Sequence, residues 1–125
     1  RAAPFTASPG RPGARLPARL ALNALAPALA RAARRSGLAT TDRCCGFATT
    51  GATTERDLLR FAATARAGTA EWMAHPGLDS PALRRDLPWA YARFHWSGEL
   101  AALCSPAVRE ACRRHRLELI RFADL

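Results

Sequence analysis

Apolar positions recur at helical spacing from Thr54 to the end of the chain, and polar and charged residues fill the gaps between them. Thr54-Glu55-Arg56-Asp57 has the form of a capping box, and Leu58, Phe61, Ala62, Ala65, Trp72 and Met73 then fall on one stripe that stops before His75-Pro76-Gly77. That spacing predicts a helix over 55–74. Ser80-Pro81 places an N-cap residue before a proline suited to the first helical position, opening a helix over 81–104 on which Trp89, Trp96, Leu100 and Leu103 form a stripe. Pro88 must kink or restart it. Tyr91, Phe94 and Ala101 lie roughly opposite, so this helix is expected to be covered on two sides, with Trp89 and Trp96 in the core. Ser105-Pro106 repeats the start signal for a helix over 106–122, whose inward positions are Val108, Ala111, Cys112, His115, Leu119 and Phe122.

Upstream the pattern is weaker. Residues 1–17 hold four prolines and two glycines and read as irregular, whereas Leu22, Leu25 and Leu29 share one face of a possible short helix over 18–35, weakened at Pro27. Ser36 to Thr53 is small, polar and rich in Gly and Thr, the composition of a linker. No stretch alternates as a half-buried strand does. The expected fold is all-α: a small three-helix, hairpin-like domain over 54–125, preceded by a long and mostly irregular Arg-, Ala- and Pro-rich arm over 1–53. A domain of that size buries a modest core and leans on partners for stability.

Charge sharpens the division. Arg1 to Thr41 contains seven arginines and no acid, while all ten acidic residues lie between Asp42 and Asp124. From Gly46 onward 11 arginines face nine acids, a balance of +2, so +7 of the net charge of +9 belongs to the arm. All 19 basic residues are arginine, which together with abundant Ala, Gly and Pro reflects compositional bias more than selection for guanidinium chemistry. An acid-free, Arg- and Ala-rich opening is the composition of a mitochondrial targeting leader, and places the protein in the matrix or on the matrix side of the inner membrane. No segment approaches the ~20 apolar residues of a membrane span, so a peripheral position is expected.

Candidate chemistry is sparse. Cys104 and Cys112 would stand about 12 Å apart on a continuous helix, beyond the ~7 Å that a disulfide spans, and adjacent Cys44 and Cys45 cannot easily bridge each other. With His115 these thiols form only an irregular ligand set, so no metal and no cofactor is expected. His75 is expected to cap a helix end or meet solvent, and His95 to lie among aromatic neighbours. Glu71, Glu99, Glu110 and Glu118 read as surface charges among arginines. No nucleophile signature is present, and the chain is not expected to be an enzyme.

The residues expected to bind partners are Arg11, Arg15, Arg19, Arg31, Arg34 and Arg35 on the arm, with Tyr91 and Phe94 as a docking face. These observations predict a non-catalytic accessory subunit of a large mitochondrial inner-membrane assembly, such as a respiratory complex or ATP synthase, touching other subunits of a multiprotein complex. The alternative is a mitochondrial ribosomal protein whose arm binds rRNA.

Overall fold

The structure, a computed structural model, describes residues 16–125. It is mostly helical, and its contacts divide the chain into two units. Of the described residues, the first takes those up to Ala48, Arg66–Met73 and Leu119–Leu125; the second takes Thr49–Ala65 and Ala74–Glu118.

In the first unit, α1 (Leu16–Arg35) runs through Pro27 and ends with Arg34 and Arg35 in its last turn, where cations complement the exposed carbonyls. Its stop is a Schellman turn: Leu38 N donates to Ala33 O at 2.9 Å and Gly37 N to Arg34 O at 3.1 Å, with Gly37 at φ 72°. Ala26 is buried on this helix, whereas Leu20, Leu25 and Leu29 are exposed. No helix among the described residues is long and apolar enough to cross a membrane.

The first unit also holds a feature that the apolar pattern did not predict. Strands β1 (Arg43–Cys45) and β2 (Ala70–Trp72) pair in parallel, with Arg43 opposite Ala70, Cys44 opposite Glu71 and Cys45 opposite Trp72. Asp42 pins the start of this pairing. Its carboxylate accepts from Thr69 N at 2.8 Å and Thr69 Oγ1 at 3.1 Å, while its own N–H donates to Thr69 O at 3.1 Å. The Arg43 guanidinium donates to the carbonyls of Arg66 and Ala67, which fixes the turn leading into β2. Directly after β1 the chain needs a glycine. Gly46 lies at φ 87°, and a Cβ there would stand 2.4 Å from Met73 O.

In the second unit, α2 (Glu55–Thr64) opens with a true capping box: Asp57 N donates to Thr54 Oγ1 at 3.3 Å and Thr54 N to Asp57 Oδ2 at 3.0 Å. Helices α3 (Pro81–Asp86), α4 (Pro88–Tyr91), α5 (Trp96–Leu103) and α6 (Pro106–Arg114) follow. Ser80 Oγ accepts from Leu83 N, and Ser105 Oγ from Ala107 N and Val108 N, so each Ser-Pro pair starts a helix. Helix α2 packs on both α5 and α6. Leu58, Ala62, Ala102 and Ala111 are buried on these three helices, and the small alanines let their backbones approach closely.

The all-α expectation therefore holds only coarsely, because the described residues include a parallel sheet and shorter helices. The helix expected over 55–74 ends at Thr64: Ala65 is extended, Gly68 turns at φ 103°, and Trp72 belongs to β2. The segment expected as one helix over 81–104 is three. Leu87 leaves helical geometry ahead of Pro88, and His95 N donates to Gly51 O at 2.7 Å instead of continuing the helical ladder. The helix expected over 106–122 ends at Arg114, where Arg116 turns at φ 55° and Leu117 N reaches back to Cys112 O. Leu119 and Phe122 are consequently exposed, and so is Trp89 at 65%, which corrects their placement in the core.

Candidate active site

Among the described residues Glu99 is the one large side chain with no exposure at all, although the sequence reads it as a surface charge. It stands in the first turn of α5, where the helix N-terminus favours a negative charge. Its Oε1 accepts from Thr53 N at 2.9 Å and its Oε2 accepts from His75 N. A buried carboxylate is tolerated only when its lone pairs are occupied, and here two backbone donors from separate loops do so. Thr53 is itself buried, and its hydroxyl is within hydrogen-bonding reach of Thr49 Oγ1 at 3.3 Å.

The same carboxylate fixes His75. Pro76 biases the residue before it toward an extended backbone, outside any helical ladder, and the His75 N–H donates to Glu99. Two residues on, Gly77 N donates to Trp96 O at 3.2 Å, so the His75 loop is stitched to the start of α5 at two points. The imidazole Nδ1 lies 4.0 Å from Glu99 Oε2 and is buried without a hydrogen-bond partner. The side chain as a whole is 36% exposed, so its exposure lies on atoms other than Nδ1. The ring meets Phe94 edge to face at 4.9 Å. Neither a helix cap nor a simple solvent contact describes this histidine.

Phe94 also lines a cleft of about 390 Å³, together with Asp79, Tyr91, His95, Trp96, Ser97 and Gly98. Phe94 stacks on Trp96 with ring centroids 6.0 Å apart and planes inclined at 18°, and Tyr91 tilts against the other ring at 5.8 Å. The Tyr91 hydroxyl donates to Asp79 Oδ2 at 3.0 Å and accepts from Arg84, whose guanidinium also sits 4.5 Å above the Tyr91 ring. Aromatic faces beside a carboxylate, an imidazole and a hydroxyl offer both apolar stacking and hydrogen bonding to a polar ring.

Of the residues singled out for partner binding, Tyr91 and Phe94 come together in this cleft, both half-buried. Arg31, Arg34 and Arg35 are exposed on the last turns of α1, in the other unit. Arg11 and Arg15 lie outside the described residues, and only the backbone of Arg19 is described. Sequence reasoning missed Glu99 and Asp79. A signal for Glu99 existed: it is the sole charged residue in Trp96–Leu103, a helix otherwise without charge. No three His, Cys, Asp or Glu side chains among the described residues come together as a metal-holding group.

The family of YdjC-like proteins matches residues 3–114. The chain belongs to the YdjC-like family. No curated protein and no solved structure matches it. The YdjC-like family is associated with carbohydrate deacetylase and hydrolase activity. This overturns the expectation of a non-catalytic accessory subunit of a mitochondrial assembly, and with it the ribosomal alternative and the expectation that the chain has no enzymatic role. The reason lies in the extent of the match. It begins at residue 3 and takes in the acid-free opening, so that segment falls within the YdjC-like match. Arginine without acid had been given a functional meaning that the family match does not support.

Proposed function

We propose that this chain serves the hydrolytic removal of acyl groups from carbohydrates, with His75 as the acid–base group. Membership of the YdjC-like family over residues 3–114 carries this reading. The cleft chemistry supports it: Trp96 and Tyr91 offer faces for the C–H surface of a sugar ring, and Asp79 and His95 offer partners for its hydroxyls.

In this reading the acyl group extends past the edge of Phe94 toward His75. The imidazole takes a proton from water as the water oxygen attacks the acyl carbon, and a tetrahedral intermediate forms. The C–N or C–O bond to the sugar then breaks, the imidazole returns the proton to the departing sugar nitrogen or oxygen, and the acid leaves, giving up its remaining hydroxyl proton to solvent or to the freed amine to become its carboxylate. The histidine ends in its starting state.

The test is acetate release from N-acetylated and O-acetylated oligosaccharides by the full chain, with and without added divalent cation. Release is expected, and His75→Ala should lower it by about 10²- to 10⁴-fold, the usual contribution of an acid–base group. If no acetylated carbohydrate is hydrolysed, the proposal is wrong. If His75→Ala remains fully active, the acid–base role passes to another residue.

A further inference from the structure

The position of Glu99 bears on which ring nitrogen of His75 carries the proton. A neutral imidazole has one N–H and one lone pair, and the partner of one nitrogen decides the state of the other. His75 Nδ1 is buried, accepts and donates no hydrogen bond, and faces Glu99 Oε2 at 4.0 Å. A lone pair on Nδ1 would set two negative ends within 4.0 Å of each other, which is repulsive, whereas an N–H there sets a positive end beside the carboxylate.

Glu99 cannot turn aside to relieve the unfavourable arrangement. One oxygen is held by Thr53 N and the other by His75 N, and the side chain has no exposure. Solvent cannot screen the interaction at an atom that is itself buried. Phe94, which touches the same ring, brings no charge to compete.

We infer that Glu99 is a positioning residue that fixes His75 as the Nδ1–H tautomer, leaving the Nε2 lone pair on the opposite side of the ring as the proton acceptor. The tautomer follows from the geometry alone; its meaning for turnover rests on the acid–base role proposed above. The carboxylate does not move a proton. It sets the direction in which the imidazole is basic, and by accepting the His75 backbone N–H it also sets the ring's position. One carboxylate oxygen thereby serves both the backbone and the ring of the same residue.

Nitrogen-15 NMR of the imidazole in the full chain tests this, read at a pH where the ring is neutral. The Nδ1–H form should outweigh the Nε2–H form by about tenfold or more, the reverse of free histidine. A wild-type spectrum dominated by Nε2–H overturns the inference, and needs no variant to fold. In Glu99→Gln, accepted for the comparison once its circular dichroism matches wild type, the preference should collapse; an unchanged tautomer ratio also overturns the inference. Where deacetylation is measurable, Glu99→Gln should lower kcat by about tenfold or more with KM held within about twofold. Absence of deacetylation in a wild-type protein that shows the Nδ1–H tautomer sinks the proposed function and leaves the positioning role standing. An active enzyme with the Nε2–H tautomer does the opposite.

Discussion

Cys44 stands in β1 opposite Glu71, and burial, Glu71 and the adjacent Cys45 act on its thiol in the same direction. Burial disfavours the thiolate most, and the Glu71 carboxylate adds repulsion, so the group is pushed from 9.0 up to about 11. At pH 8 its thiolate fraction should be ~100-fold below that of a thiol at the ordinary value, and alkylation by iodoacetamide correspondingly slow. Mass spectrometry of the alkylated protein would show this, and rapid labelling of Cys44 would contradict it. Glu71→Gln should speed the reaction, but by less than unfolding does, because burial is the larger cause. None of this was legible in the sequence, where Cys44 reads as part of a flexible linker. Glu99 was hidden for a related reason. Whether a carboxylate is buried depends on what packs over it, and the donors that compensate it come from Thr53 and His75, 46 and 24 residues away.

The helix starts after Thr54, Ser80 and Ser105 were legible, and so was the stop of α1 before Gly37, whereas the ends of α2 and α6 and the restart at α5 were not, and the difference has a physical cause. A start is decided by a side chain acting on backbone two or three residues ahead, as Thr54, Ser80 and Ser105 do. The unpredicted ends and the restart are decided from afar or by backbone strain. The apolar stripe continues through Trp72 and Met73, but residues 70–72 pair with β1 because Asp42 secures Thr69 across 27 positions of sequence. Helix α5 begins where it does because Gly51 takes the N–H of His95. Helix α6 stops on Arg116, an ordinary residue held at φ 55° in a Schellman turn that usually contains glycine. Arg116→Gly should therefore stabilise the protein by roughly 0.5–1 kcal/mol, since the left-handed penalty disappears. Urea unfolding measures it, and a variant less stable than wild type would show that the arginine side chain itself secures the turn. The cleft residues were partly legible: Tyr91, Phe94 and Trp96 stood out as an aromatic cluster, but their contact with Asp79 and His75 depends on the breaks between α3, α4 and α5.

For the molecule as a whole, the acid-free opening dominated the reading of the sequence, and the family match shows that its charge was a poor guide to function. Electrostatics matters more locally, at Asp42. The Thr69 backbone N–H, helped by its hydroxyl, holds the Asp42 carboxyl below its ordinary 3.8. A folded value below the unfolded one means that the contribution of this contact to stability is complete above about pH 4 and is lost as pH falls through the folded value. The Thr69 amide resonance should follow this titration with a midpoint below 3.8, and a midpoint at or above 3.8 would place the hydrogen bond elsewhere. Because Asp42 anchors the pairing of β1 with β2, acid should loosen the first unit through this contact, and Asp42→Asn should remove that step from the pH profile. The division into units also has a consequence for dissection. The chain enters the second unit at Thr49, returns to the first at Arg66, leaves it again at Ala74 and comes back at Leu119. Neither unit is a continuous stretch of polypeptide, so no single truncation yields one of them whole, and a cut after Glu118 removes part of the unit that holds β1. The two are threaded through each other in sequence and have to be expressed, inherited and lost together.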